Sequence, residues 1–450
     1  MSKPVLGVVV AFLSVITMLT TQARADAASA PVRFMDAADA AEMIDRASVL
    51  DTRSFGSYLK SHIPGAVHLN DEALRGPAGG LPVQYFSPDQ LARIFGDTGV
   101  TFDAPVVVYS SPDDPLAATM TAYALAQIGH SDIRIINGGF ESWAANHPVT
   151  REFPEIERTT LTPRDATLAK IAYADFADTI GFNDLVFLDA RPQSQYLGDL
   201  PIWIRNGHIP GAHSLDWTLL TEPLNKHRLK PIDEIETILS DLGVSDRDDI
   251  VVYCGTGREA TLMLLTLSCE LGWSKVRLYE GSWTEYSSID GSVVEVGPRV
   301  EPKTRVHREG KLLISGQPTE GTIKWLAAEG VKTVINLRTE REMQQLSFDE
   351  VDLADDLGLH MVHIPMGGED DYTPEQVRRF VAAYREAEAK GDVLVHCSSG
   401  GRARLIWMAY LIEELGLEPD EAIARANKLG GRPWSLDRLL GGSLSITMQR

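Results

Sequence analysis

The strongest constraint on the fold is an internal repeat. Residues 49–66 read V-L-D-T-R-S-F-G-S-Y-L-K-S-H-I-P-G-A, and residues 187–212 contain F-L-D-A-R, then Q-Y-L-G, then G-H-I-P-G-A. Each copy continues into an apolar strand (106–109 and 250–253), a helical stretch, and a Gly-Trp segment ending at Trp143 or Trp283. Matched landmarks lie between 138 residues (Asp51 to Asp189) and 146 residues (His62 to His208) apart. A repeat of that length is a duplicated domain and not a solenoid. Short apolar strands alternate with helical segments in each copy, which predicts parallel sheets covered by helices on both faces. Breaks rich in Pro and charge, near 148–163 and 291–305, place the copies at 32–150 and 165–292 and leave a third unit at 306–450.

The N-terminus stands apart. Lys3, an apolar run from Val5 to Leu19, and the small residues Ala23 and Ala25 read as a signal peptide over 1–25. The apolar run is short for a spanning helix, which needs about 20 residues. Export, most simply to a bacterial periplasm, is therefore expected, with no membrane span in the mature chain. Loss of Lys3 and Arg24 takes the formal charge from -21 to -23. A chain this acidic is repelled by nucleic acid and by anionic membranes.

Three cysteines, Cys254, Cys269 and Cys397, are too few and too odd for a disulfide scaffold. Cys254 ends the strand I-V-V-Y and precedes a Leu-rich helix, with Gly255 and Gly257 allowing the backbone to curl. Amides pointing inward and the helix start both favour a thiolate, the nucleophilic form. Cys269, in L-T-L-S-C-E-L, is expected to pack inside a helix. No His or Cys spacing suits a metal.

The L-D-x-R start, the H-I-P-G-A turn, the strand ending in Cys254 and the G-x-W close together resemble tandem rhodanese-type sulfurtransferases over about residues 32–290. That resemblance implies two α/β domains, the second catalytic and the first silent, because Ser110 stands where Cys254 does. A serine hydroxyl is no nucleophile without a general base. In the family the cysteine takes the outer sulfur of thiosulfate or 3-mercaptopyruvate as a persulfide and passes it to a thiol or cyanide-like acceptor. No cofactor is needed. The loop Gly255-Thr256-Gly257 is similar to that of the mercaptopyruvate enzymes, but Arg258 and Glu259 depart from the Val-Thr expected next. Arg258, Arg191 and Arg205 are the candidate anion-binding residues, with Glu259 opposing Arg258 if both enter the cleft. His62 and His208 belong to a turn present in both copies and read as structural.

In the third unit V-L-V-H-C-S-S-G-G-R-A again ends a strand at a cysteine. It resembles the phosphate loop of the cysteine phosphatases, and I-S-G-Q-P-T and V-I-N-L-R resemble the small bacterial beta-lactamase-hydrolase-like, phosphatase-like family. The fold class is thus α/β throughout: two rhodanese-like domains, then a cysteine-phosphatase-like domain. Between Cys397 and Arg402 stand four residues, Ser398, Ser399, Gly400 and Gly401, where tyrosine phosphatases have five. A shorter ring suits one sulfur atom better than a tetrahedral phosphoryl group. Arg402 is expected to close the loop and favour the Cys397 thiolate, and Ser399 to donate to it. Asp370 and Asp371, available as general acids, read as a solvated acidic loop.

The leading expectation is a sulfurtransferase acting through Cys254, with relay to Cys397 and a small-molecule or periplasmic protein acceptor. Two alternatives stay open: a phosphatase at Cys397 with the rhodanese pair as scaffold, and a non-enzymatic sulfur carrier or redox-sensing module.

Overall fold

The computed structural model describes residues 30–112, 114–182, 184–300, 303–367, 371–427 and 436–442, so the signal segment and Asp370 lie outside the described residues. The chain forms two compact units, 1–180 with 185–300 and 181–184 with 301–450. Both repeats fall in the first.

The first repeat contributes β1 (Val32–Met35), β2 (Ser48–Asp51), β3 (Ala66–His68), β4 (Arg75–Ala78), β5 (Leu81–Tyr85), β6 (Val106–Tyr109) and β7 (Ile133–Ile136). Five strands form a parallel sheet in the order β1-β7-β6-β2-β3, while β4 and β5 make an antiparallel hairpin. The second repeat supplies β8 (Lys170–Ile171), β9 (Val186–Asp189), β10 (His213–Ser214), β11 (Thr221–Glu222), β12 (Asn225–Leu229), β13 (Ile250–Tyr253) and β14 (Val276–Tyr279). Its parallel sheet runs β10-β9-β13-β14-β8, the same topology, with β11 and β12 as the matching hairpin. Every residue of β6 and β13 is buried. Inner strands of a parallel sheet are covered on both faces, which is why V-V-V-Y and I-V-V-Y show no polar alternation.

Helix α1 (Leu116–Gln127) follows β6 and is buried along its whole length; α2 (Glu259–Leu265) follows β13 and is buried after its first residue. The two pack together, and the Thr119 and Thr261 hydroxyls share a buried 2.8 Å hydrogen bond. One apolar cluster therefore runs through both repeats, from Leu50, Val106 and Ala122 to Leu188, Val252 and Leu262. Beyond α2 the helix widens into a π-turn, Thr266–Glu270, that buries Cys269. Burial pushes the Cys269 thiol up to about 12, in keeping with a packing role.

The repeated motifs are structural joints. In L-D-x-R, Asp51 pairs with Arg53 at 2.6 Å and Asp189 with Arg191 at 2.5 Å, and each arginine also donates to a carbonyl of the next turn, Ser61 or Gly207. Such buried pairs contribute little net stability when intact, but removing one partner costs about 3–5 kcal/mol. His62 and His208 each bond a carbonyl, of Tyr58 and Tyr196, and stack on that tyrosine's ring. Both histidines thus tie down a turn.

The second unit holds β15 (Val306–Glu309), β16 (Leu312–Ser315), β17 (Val331–Asn336), β18 (His360–His363) and β19 (Asp392–His396), in the order β15-β16-β19-β17-β18. All pairs are parallel except the edge pair β15-β16. Thr373 caps α3 (Pro374–Glu388) through the Gln376 amide, with Pro374 at the first helical position. Central β19 leads directly into Cys397, and α4 (Gly401–Glu413) begins just beyond.

Candidate functional site

Cys254 sits where β13 gives way to α2. The Gly-Ser-Trp segment clamps this turn: the Trp283 and Thr284 amides donate to the Cys254 and Gly255 carbonyls at 2.9 and 3.0 Å, and the Cys254 amide donates to Ser282 Oγ at 3.2 Å. Ser282 is the one non-glycine residue at positive φ (+51°) among the described residues, a conformation that costs of order 1–3 kcal/mol. With the loop carbonyls held outward, the Thr256 and Ala260 amides face the sulfur. Two glycines are obligatory. A Cβ on Gly255 would lie 2.8 Å from the Trp203 ring, and one on Gly257, at φ +73°, would lie 2.9 Å from the Glu280 carbonyl.

The first repeat forms one wall of this site. Arg75, on β4, donates to the Thr256 carbonyl at 3.0 Å, and the Tyr85 hydroxyl, on β5, donates to the Gly257 carbonyl at 3.3 Å. The duplication makes the relation reciprocal. The second repeat's hairpin lays His227 over the silent loop, where its Nε2 accepts from the Ser110 amide at 3.0 Å. Burial pushes His227 down to about 4, so it is neutral and can accept. Because that nitrogen is taken by the amide, it does not activate the Ser110 hydroxyl.

Several expected roles are corrected. Cys254 is fully enclosed, and burial first, then the Glu259 carboxylate, raise its pKa above that of an ordinary thiol despite the two amides. Enclosure and the carboxylate thus work against the thiolate that the loop amides favour. The Thr256 hydroxyl accepts from Arg75 at 3.5 Å. Arg258 turns away from the cysteine and pairs with Asp71 at 2.9 Å, Asp114 at 2.6 Å and Glu72 at 3.3 Å, all from the first repeat. Arg191 binds Asp189 and the Gly207 carbonyl through Nε and Nη2 and lies over Trp283, 4.4 Å from the ring centre, with its buried Nη1 left without a hydrogen-bond partner. Arg205 donates to the carbonyls of Tyr286, Ser287, Ile289 and Ser292. None of the three presents its bonded donors to an incoming anion. Nothing in the sequence signalled Arg75, Tyr85 or Ser282, because their meaning comes from the partner repeat or from a backbone angle.

At the second loop Cys397 is also enclosed, and the amide of Gly400, at φ +83°, donates to its sulfur at 3.1 Å. Ser398 and Ser399 are exposed, and Gln317 pins the Ser398 carbonyl at 3.0 Å. Arg402 does close the loop, through Ser398 Oγ at 2.9 Å. Its guanidinium, however, is held end-on by Glu342 through Nη1 and Nη2 at 2.8 and 2.5 Å, and Nη1 also donates to the Leu337 and Met366 carbonyls. Burial works against that cation, but Glu342 and the Cys397 sulfur more than restore it, so its pKa is raised. Beneath the loop, buried His396 meets buried Glu350 at 2.7 Å. Asp371 accepts from the Gly367 amide at 2.7 Å. No group of His, Cys, Asp or Glu among the described residues is arranged to hold a metal.

Comparison with known proteins follows the same division. A rhodanese-like domain model matches residues 36–146 and 173–289, together about half the chain. The chain belongs to the rhodanese-like family. Residues 292–410 match a second model, a DSP-PTPase phosphatase fused to NAD+ kinase. A putative thiosulfate sulfurtransferase of Synechococcus elongatus is 39% identical over 305 residues, covering 65% of this chain and 94% of its own. The 3-mercaptopyruvate sulfurtransferase of Escherichia coli K12 is 30% identical over 238 residues, covering 51% of this chain and 82% of its own. The crystal structure of an Escherichia coli 3-mercaptopyruvate sulfotransferase superimposes with a TM-score of 0.50 at 30% identity, covering 56% of this chain and 98% of that one. The two rhodanese-like domains therefore correspond to β1–β7 and β8–β14, and the phosphatase-like domain to the second unit.

Proposed function

We propose that this rhodanese-like protein is a sulfurtransferase in which Cys254 carries sulfane sulfur from thiosulfate or 3-mercaptopyruvate to a thiol or cyanide-like acceptor. The observation that carries the reading is the loop at Cys254: the nucleophile of the second repeat lies at a strand end with the Thr256 and Ala260 amides aimed at its sulfur. Attack on thiosulfate breaks the bond to the sulfonate sulfur, releases sulfite with the bonding pair, and leaves Cys254 as a persulfide. Fixed amides favour the anionic outer sulfur without reorganising. The named relatives include both thiosulfate and 3-mercaptopyruvate sulfurtransferases, which keeps both donors in the proposal.

The test is thiocyanate formation from thiosulfate and cyanide, with mass spectrometry for one added sulfur atom on each cysteine. Cys254→Ser should abolish turnover, and loss only in Cys397→Ser would refute the assignment. Added sulfur on Cys397 that depends on Cys254 would establish the relay; a persulfide formed without turnover would mean a carrier.

A second reading, phosphoester hydrolysis at Cys397, is favoured by the phosphatase model matching 292–410. Against it stands Glu342, which engages both terminal nitrogens of the Arg402 guanidinium. Hydrolysis of p-nitrophenyl phosphate lost in Cys397→Ser would establish it. Export through residues 1–25 to a periplasm, and a periplasmic protein acceptor, belong to the same proposal; the mature N-terminus of cell-fractionated protein tests the first. No helix among the described residues is long and apolar enough to cross a membrane.

A further inference from the structure

The two repeats differ at one place where the fold requires no difference. Each sets a histidine against the carbonyl and the ring of a tyrosine, but the partners stand 4 positions apart in the first repeat, Tyr58 and His62, and 12 apart in the second, Tyr196 and His208. The repeat that carries the nucleophile thus inserts eight more residues between two points that the silent repeat joins directly. We propose that Trp203, on this inserted strap, is a gate over Cys254 that sets the size of the sulfur donor or acceptor the site admits. The inference rests on the sulfurtransferase reading above and names a specificity-determining residue for it.

The strap reads D-L-P-I-W-I-R-N over 199–206 and carries four large apolar side chains. Leu200, Ile202 and Ile204 are 41%, 55% and 80% exposed, whereas Trp203 turns inward and is half-buried against the cluster that holds Tyr253 and Trp283. The far edge of its indole fills the space beside Gly255, where a Cβ would stand 2.8 and 2.9 Å from two ring carbons. Gly255 is the residue bonded to Cys254, so the ring lies on the turn that carries the sulfur. The rest of that turn is covered by Arg75 at the Thr256 carbonyl, Tyr85 at the Gly257 carbonyl, and Ser282, whose Oγ lies 3.9 Å from the sulfur. Under this cover Cys254 has no exposed surface, so part of it must move before any donor arrives.

Trp203 is the part built to move. Arg75 and Tyr85 sit on paired strands, and Ser282 is buried and donates to the Tyr279 carbonyl at 2.9 Å. The indole is tied by one side-chain hydrogen bond, from Nε1 to Gln195 Oε1 at 3.1 Å. Both ends of the strap stay fixed: the Leu200 amide donates to the Ser194 carbonyl at 3.1 Å, and Arg205 holds four carbonyls between Tyr286 and Ser292. A rotation of the Trp203 side chain between staggered positions therefore uncovers the turn without unfolding the strap. A small rotation opens a slot for a compact reagent, and a bulky one needs the ring fully out.

Iodoacetamide and its fluorescein conjugate share one reactive group and differ in size. Their alkylation rates at Cys254 in the full chain, read by peptide mass spectrometry, test the gate, with Cys397 of the same molecules as the control. Trp203→Ala should raise the ratio of bulky to small labelling at Cys254 by at least about tenfold, because the bulky reagent no longer waits for a minor open state. The ratio at Cys397 should not change. Gln195→Leu keeps the ring and removes its hydrogen bond, so it should raise the Cys254 ratio by about fivefold, the population shift that one hydrogen bond is worth. A Trp203→Ala ratio that stays within about twofold of wild type, with both reagents accelerated alike, overturns the proposal, since the turn would merely have loosened. If Trp203→Ala does not fold, Gln195→Leu decides, and an unchanged ratio there overturns the proposal equally. Thiocyanate formation surviving in Cys254→Ser would instead defeat the sulfurtransferase reading, an outcome separate from the labelling ratio.

Discussion

Replacing Arg258 with Met should destabilise the rhodanese pair before it alters donor binding. The guanidinium bridges the two repeats, and its most buried partner, Asp71, has a side chain only 9% exposed. Asp114 and Glu72 are 47% and 55% exposed, so each contributes at most about 1 kcal/mol. Stranding the buried Asp71 carboxylate adds most of the loss, giving about 2–4 kcal/mol in total. For a unit this size that lowers Tm by about 5–10 °C. The pH dependence has a definite sign. Burial already raises the Asp71 pKa, with Arg258 acting to lower it. Without Arg258 it rises further. A carboxyl whose folded pKa exceeds its unfolded value stabilises the fold while protonated and loses that contribution as pH rises through the folded pKa. The Arg258→Met deficit should therefore be largest near pH 7.5 and shrink towards pH 4.5, and Asp71→Asn should rescue much of it in the double variant. Calorimetry at the two pH values, with the double-mutant cycle, is the assay. An unchanged Tm together with a large rise in KM for thiosulfate would refute the argument and return Arg258 to the substrate.

Three further outcomes follow from the same geometry. Gly257→Ala, forced to φ +73° with its Cβ against the Glu280 carbonyl, should cost about 1–3 kcal/mol and cut thiocyanate formation well over tenfold, as steady-state rates and Tm will show. His227, held at about 4 by burial, contributes stability present above its unfolded pKa near 6.5 and lost as pH falls through 4. His227→Gln should therefore flatten the fall in Tm of the rhodanese pair over that window. Glu342 is held down to about 2: burial opposes the shift, but the Arg402 bonds outweigh it, so its contribution is present above about 4.5 and lost as pH approaches 2. Glu342→Gln should narrow its Tm gap to wild type in acid; if releasing Arg402 is enough to admit a phosphoryl group, hydrolysis of p-nitrophenyl phosphate should appear in this variant.

What was legible in the sequence was whatever local chemistry repeats. The doubled L-D-x-R and H-I-P-G-A segments announced two like domains, and the same pairing of Asp with Arg and of His with a turn carbonyl recurs in each. The apolar runs ending at Cys254 and Cys397 announced inner parallel strands, because only a strand covered on both faces dispenses with polar alternation. Loop glycines next to each cysteine announced a tight ring of amides. These features depend on neighbours in the chain, so the order of residues alone determines them. The carboxylates and carbonyls that hold Arg258, Arg205 and Arg402 lie 36 to 187 positions away, and an arginine's sequence neighbours say nothing of which of them will reach it. The state of the Cys254 thiol was likewise decided by tertiary structure. Amides and a helix start favour charge on sulfur, whereas enclosure and a facing carboxylate oppose it, and only the folded chain sets how much of each the sulfur meets.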